Sequence, residues 1–249
     1  MHHLQRIVLI SQLSALFFYR QILWENRKIN DIGNDCLVSV DWTDCWIPNQ
    51  KNAGSLFYTF KFCHAGLRYE IALCILTGHI VWIMGPFPCG DWPDVEVFRF
   101  ALKQMLDPKE RVEADDALVG EDPTNAKIPG SSVHDQDERI LRTRGVVRRR
   151  HETVNKRMKQ FECLGNKYRH DVSFHGVCFR ACAVLTQLAF EHGKPMFQVP
   201  EYADVPDAAA APAVPDAVGS EHVPLQTHSV AGFGPALPPL NEDDEMDDL

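Results

Sequence analysis

The sequence predicts a mixed α/β domain, a mixed sheet flanked by helices, followed by a disordered acidic C-terminal tail. Three observations lead there. Between residues 36 and 84, apolar runs rich in β-branched and aromatic residues follow one another across short Gly-containing breaks, which reads as three or four antiparallel strands. Between residues 94 and 192, helical apolar stripes dominate, with one short strand among them. From residue 201 to 249 there are eleven Asp and Glu, no Lys or Arg, and much Ala and Pro, too little apolar content to offset the entropy of ordering. A chain of 249 residues with 45% hydrophobic content supports one sizeable core plus an appendage. The divisions are therefore an N-terminal helix and lead-in over 1–35, a folded domain over 36–199 and the tail over 200–249.

The elements follow in order. Residues 5–26 read as an amphipathic helix packed on the core. The apolar stretch 7–18 is too short for a membrane span of about 20 residues, and Tyr19-Arg20-Gln21 is a poor cleavage context. Residues 36–41 form the first strand. The run 55–62 reads as a second strand and 67–76 as a third, and Thr77-Gly78-His79 turns into a fourth over 80–84. The segment 85–93 is too rich in Pro and Gly to be regular. Asp94 then reads as the N-cap of a helix reaching about Leu106, with Val95, Val97, Phe98, Ala101, Leu102 and Met105 as its apolar stripe. Residues 111–115 fit a parallel strand and 120–138 a loop. Helices are expected over 139–164 and 172–192, the second stopped by Gly193-Lys194-Pro195. Tyr58, Phe60, Phe62, Tyr69, Trp82 and Phe98 are read as core residues rather than base-stacking platforms.

Charge is distributed unevenly. The whole chain carries −9 with a pI near 5.6, yet residues 1–200 hold all 25 Lys and Arg against 23 Asp and Glu. Nine of the basic residues fall between Arg139 and Lys159. The acidic tail thus conceals a basic patch suited to a phosphate backbone. The tail itself reads as a solubilising segment, with competition for that patch as the alternative. The eight cysteines form no CxxC pair, so they are expected to be free thiols in a reducing compartment.

Against this background the carboxylates stand out. Asp41 ends the run 36–40, Asp115 ends 111–114, and Glu152 lies within the basic helical stretch. A carboxylate at the end of a buried strand is costly unless something pairs with it. Two such strand ends and a helical Glu point to a shared cation and to phosphoryl-transfer chemistry, in which two Mg²⁺ ions sit about 3.5–4 Å apart. Asp94 is a fourth acid, for which helix capping is the competing explanation. Glu152, Lys156 and Lys159 recur at i, i+4 and i+7, so metal-binding and phosphate-binding groups share one helix face. The order β-β-β-α-β-α-α is that of an RNase H-like domain, with the first and fourth strands adjacent and a helix crossing their ends.

The residues resemble the catalytic domain of a DDE-superfamily endonuclease of the Harbinger type, a transposase-derived nuclease, over residues 36–199. The resemblance rests on Ser39-Val-Asp-Trp-Thr43, on Val81-Trp-Ile-Met-Gly-Pro86 and on Trp92-Pro-Asp-Val-Glu-Val-Phe98. It rests also on Glu113-Ala-Asp-Asp116 and on the stretch 148–159. Asp115 and Glu152 have 36 residues between them, close to the superfamily's D-35-E separation. Arg148, Glu152 and Lys159 match its R-x3-E-x6-K pattern. The resemblance implies a catalytic triad of Asp41, Asp115 and Glu152, with Asp94 added as a metal ligand, and Mg²⁺ or Mn²⁺ as cofactor. It further implies double-stranded DNA as substrate, with Arg148, Lys156 and Lys159 contacting DNA, a nuclear location and a separate DNA-binding partner protein. No membrane association is expected, and the sequence does not indicate an oligomeric state. Trp42 stands where the family has Gly, Ala117-Leu118 where it has Gly-Tyr, and Gly145 where it has Tyr. These departures support an alternative of another class: a catalytically decayed or domesticated relative that binds DNA or a protein.

Overall fold

Both edges of the first long strand are occupied, and that makes it the axis of the sheet. In the computed structural model, which describes residues 22–29, 36–128 and 138–199, β1 (Cys36–Trp46) pairs antiparallel with β3 (His64–Cys74) and parallel with β5 (Arg111–Glu113). Both the two-residue β2 (Tyr58–Thr59) and β4 (Ile80–Pro88) lie antiparallel to β3, and β6 (Ala126–Lys127) runs parallel to β5. Among the described residues the sheet is therefore mixed and six-stranded. Its helices are α1 (Asp94–Phe100), α2 (Glu138–Met158), the single turn α3 (Glu162–Gly165) and α4 (His175–His192).

Alternation along β1 divides the core in two. Val38, Val40 and Trp42 join Ala72, Val97, Phe98, Leu102 and Val112 on one side. Cys45 and Ile47 join Tyr69, Ile71 and Leu73 on the other, beneath Val154 and Met158 of α2 and Phe179, Ala183 and Phe190 of α4. Each Val, Leu, Ile, Phe or Met among them taken from water stabilises the fold by about 1.5–3 kcal/mol. The mixed α/β class read from the sequence is thus observed. All eight cysteines are free thiols and five of them are buried.

Several boundaries differ from the sequence reading. The first strand does not stop at Asp41 but runs to Trp46, because Asp44 is neutralised inside the sheet by Arg68 and hydrogen-bonded by Thr59. The strand expected over 55–62 shrinks to Tyr58–Thr59, since the chain reverses through Cys63, which has φ 56°. The third strand begins at His64, three residues earlier than expected. After Gly78 (φ 73°) has made the turn from β3, β4 continues to Pro88 through residues read as irregular. Its prolines are tolerated because, among the described residues, β4 pairs only with β3 and is an edge strand. The segment read as loop after residue 120 contributes β6. The helix begun at Asp94 breaks at Ala101 and resumes as a 3-10 turn, Leu102–Met105. The helix read over 139–164 ends at Met158 and restarts at Glu162. The last helix starts at His175, with Val172–Phe174 a 3-10 turn before it. Of the helix expected over 5–26, only residues from 22 onward are described, and Trp24–Lys28 is a 3-10 turn. The rest of that helix and the tail over 200–249 lie outside the described residues.

Candidate active site

Strand alternation sends Ser39, Asp41 and Thr43 toward α2, and all three line a cleft of about 570 Å³. From β5 the chain passes Ala114 to Asp115, whose carboxylate accepts a hydrogen bond from the Ala117 N–H at 2.9 Å and so opens the 3-10 turn Asp116–Leu118. The opposite wall is α2 and the residue after it. Arg144, Arg148, His151, Glu152, Asn155 and Lys159 all line the cleft. They recur every three or four residues, which places them on one helix face. Lys61, from the turn between β2 and β3, adds a further cation to the lining. Asp41, Asp115 and Glu152 therefore enter one cleft from three separate elements, with Arg148 and Lys159 beside them.

The acids differ in their surroundings. Asp41 is partly buried, and burial pushes its carboxyl up to about 6. The Trp42 N–H, donating to Oδ1 at 2.8 Å, works against that; Asp115 adds to it, and the charges of Lys61 and Arg148 oppose it. Asn155 Nδ2 donates to the other oxygen at 3.3 Å. Among the described residues no Lys or Arg comes within ion-pair distance of Asp41. Asp115 has Arg148 at 3.6 Å, and Glu152 is exposed.

Asp94 occupies a different place from the one its sequence position indicated. Pro93, not Asp94, holds the N-cap position of α1, and Asp94 does not line the cleft. Its carboxylate forms an ion pair with Arg68 at 2.7 Å. Burial still raises its carboxyl to about 6, Arg68 pulls it down, and Asp44, Asp41 and Asp115 push it up. Asp94 thus feels the charges of Asp41 and Asp115 without lining the cleft. Arg68 also grips Asp44 through Nε and Nη2, at 2.8 and 3.0 Å. Burial would raise Asp44, but those bonds and the Arg68 charge outweigh it and hold the carboxyl below its usual value.

The basic run is not a uniform surface. Lys156 is exposed and lies outside the cleft lining, whereas Lys159 Nζ donates to the Asp44 carbonyl at 3.1 Å and reaches the cleft. Arg144 is buried in an ion pair with Glu113 at 2.7 Å. Arg150 is also buried, donating to the Phe197 carbonyl at 2.9 and 2.6 Å and to that of Ile75. His151 lies within 2.8 Å of the Ser39 hydroxyl. Its burial drives the imidazole down to about 4, against Ser39 and Asp115, which raise it, so it is neutral near pH 7. Sequence reasoning missed Asn155, Lys61, Arg68 and the Ser39–His151 contact. Only Asn155 left a signal, three residues after Glu152 on the same face.

Chemically, the cleft offers hard carboxylate oxygens framed by cations. The Asp41 carboxyl, desolvated, repelled by Asp115 and without an ion-pair partner among the described residues, is the kind of charge that an oxygen-seeking divalent cation stabilises, and the donor types suit Mg²⁺ or Mn²⁺. Among the described residues, no three His, Cys, Asp or Glu side chains stand close enough together to hold one ion. Comparison with family models, with curated proteins and with solved structures gave no match.

Proposed function

We propose that this chain is a metal-dependent DNA endonuclease with an RNase H-like domain, related to the Harbinger-type DDE nucleases, and that its triad is Asp41, Asp115 and Glu152. The observation that carries the reading is the shared cleft: three acids from β1, the end of β5 and α2 line it together with Lys61, Arg148 and Lys159. The strand arrangement supports it, with β4, β3 and β1 antiparallel and β5 and β6 parallel beyond them.

Asp41, Asp115 and Glu152, drawn together across the cleft, would hold Mg²⁺ or Mn²⁺, which would supply positive charge at a phosphodiester undergoing attack by water. The chain's own groups prepare that attack. Asn155 and the Trp42 N–H orient the two oxygens of Asp41. Ser39 and the neutral His151 fasten α2 to β1, which keeps Glu152 across from Asp41. Lys61, Arg148 and Lys159 bind the phosphates on either side of the scissile bond, and Lys156 is free to meet the same duplex farther out. Asp94, held by Arg68, is an accessory acid that adjusts the field at Asp41. The same reading carries a nuclear location and a separate protein for DNA recognition.

A nicking assay on supercoiled plasmid with the purified chain and Mg²⁺ or Mn²⁺ tests this. Nicking is expected, and Asp41→Asn, Asp115→Asn and Glu152→Gln each abolish it; a variant that nicks normally removes its residue from the triad. The second reading, a non-catalytic DNA-binding protein, is favoured by the spacing of the acids, which do not approach as a preformed three-ligand group. DNA binding with no nicking and no effect of Mg²⁺ on melting temperature decides for it.

A further inference from the structure

The turn between β2 and β3 places aromatic rings where the sequence reading had put core. Phe60 is 86% exposed and Phe62 42%, while Trp46, the last residue of β1, is 41% exposed. Three of the rings form a column. The His64 imidazole stacks on Trp46 with centroids 4.7 Å apart and planes 15° from parallel, and Phe62 stacks on His64 at 5.6 Å and 12°. The column is held in place by the backbone: His64 Nδ1–H donates to the Ala65 carbonyl at 3.0 Å, and Trp46 pairs with Gly66 across the β1–β3 ladder.

Cations surround it. Lys159 Nζ lies 5.4 Å and Lys61 Nζ 5.6 Å from the centre of the Phe62 ring, and Lys167 Nζ 5.9 Å from that of Trp46. Two of these three lysines, Lys61 and Lys159, also line the cleft, so the column begins where the cleft ends. Half-exposed, near-parallel rings with ammonium groups at their faces are poorly suited to an apolar protein surface. They match an unpaired nucleic-acid strand, whose bases stack on rings and whose phosphates take up the ammonium groups.

We propose that Phe62, His64 and Trp46 form a stacking platform for unpaired bases of a DNA strand leaving the cleft, with Lys61, Lys159 and Lys167 on its phosphates. This deepens the nuclease reading and rests on it for the identity of the strand: the duplex must open next to the cut, and the column is the place for the freed bases.

The test is fluorescence anisotropy of the full chain, in EDTA, with a labelled single-stranded oligo-dT and an abasic oligonucleotide of the same length and charge. Stronger binding of oligo-dT is expected. Phe62→Ala should weaken it by about five- to 150-fold, the range for loss of one stacked base, and leave abasic binding unchanged. Trp46→Ala should act in the same direction. Phe62→Ala keeps the test meaningful should Trp46→Ala fail to fold, because Phe62 lies on an exposed turn. Equal affinity for the two oligonucleotides, no effect of Phe62→Ala, or no binding of oligo-dT overturns the proposal. Tighter binding of oligo-rU than of oligo-dT overturns the assignment to DNA. Since no metal is present, the result is separable from catalysis. Base-dependent binding with Asp41→Asn still nicking removes the triad but leaves the platform, and base-independent binding with Asp41→Asn inactive does the reverse.

Discussion

Asn155 on α2 donates a hydrogen bond to Asp41 on β1 at 3.3 Å, so helix and central strand share the carboxylate on which the proposed chemistry depends. Truncating that amide leaves Asp41 oriented from one side only, by the Trp42 N–H. Asn155→Ala is expected to lower nicking about 10–100-fold, the usual cost of removing a group that orients a metal ligand. Adding Mg²⁺ should recover part of the rate, and duplex affinity should stay constant. Nicking rates against Mg²⁺ concentration, with duplex binding measured in parallel, check this.

The raised carboxyl of Asp41 makes a statement about stability as well as activity. Burial holds it near 6, so the folded protein binds that proton more tightly than the unfolded chain does. Stability from this group is therefore greatest at low pH and falls as pH rises from about 4 to about 6. Asp41→Asn should stabilise the protein by about 1–2 kcal/mol at pH 7.5, a value discounted for partial exposure, and by nothing at pH 4. Urea unfolding at the two pH values tests it. Nicking by the wild type should decline below about pH 6 as Asp41 and Asp94 take up protons.

Glu70 extends the same logic into the core. It is fully buried, accepts from Trp82 Nε1 at 2.8 Å, and burial drives its carboxyl up to about 8, with Trp82 opposing and Asp94 adding to the rise. The unfolded chain ionises this group near its ordinary pKa. Stability is then lost between about pH 4.5 and pH 8, by up to about 1.4 kcal/mol per pH unit. Glu70→Gln keeps the shape and the acceptor for Trp82 while removing the titration. It should flatten the stability profile over that window and leave the variant about 2–4 kcal/mol more stable than wild type at pH 8. Chemical melts from pH 5 to 8.5 would show it.

Arg68 joins two acids, bidentate on Asp44 and paired with Asp94. Removing it leaves a buried Asp44 charge with only the neutral Thr59 hydroxyl and Cys89 thiol as side-chain hydrogen-bond partners among the described residues. Arg68→Ala should destabilise the fold by about 3 kcal/mol. Arg68→Lys should recover less than half of that, because an ammonium cannot reproduce the planar fork. Thermal melts of the two variants give the comparison.

Legibility followed the range of the interaction. Asp41 and Asp115 could be found in the sequence because each closes an apolar run, and Glu152 because it keeps helical register with Lys159. Asp94 reads from sequence as a fourth metal-binding acid or a helix cap, since nothing local reveals that β3 presents Arg68 to it. Phe60 and Phe62 were placed in the core, since their run has strand composition; the reversal at Cys63 sends them to the surface instead. Arg144 and Arg150 looked like the rest of the basic stretch, yet Glu113 and the Phe197 carbonyl draw them inside.

By itself, the sequence determined the α/β class, the order of the main elements and the faces they present, because alternation and helical periodicity are properties of neighbouring residues. Only the tertiary structure decided which of those faces meet. Pairing Val38 with Val112 and Trp42 with Glu70 sets where Asp41 stands relative to Asp115 and Arg68. That register is chosen by contacts between residues far apart in the chain, so no local pattern could have encoded the cleft or the column of rings at its edge.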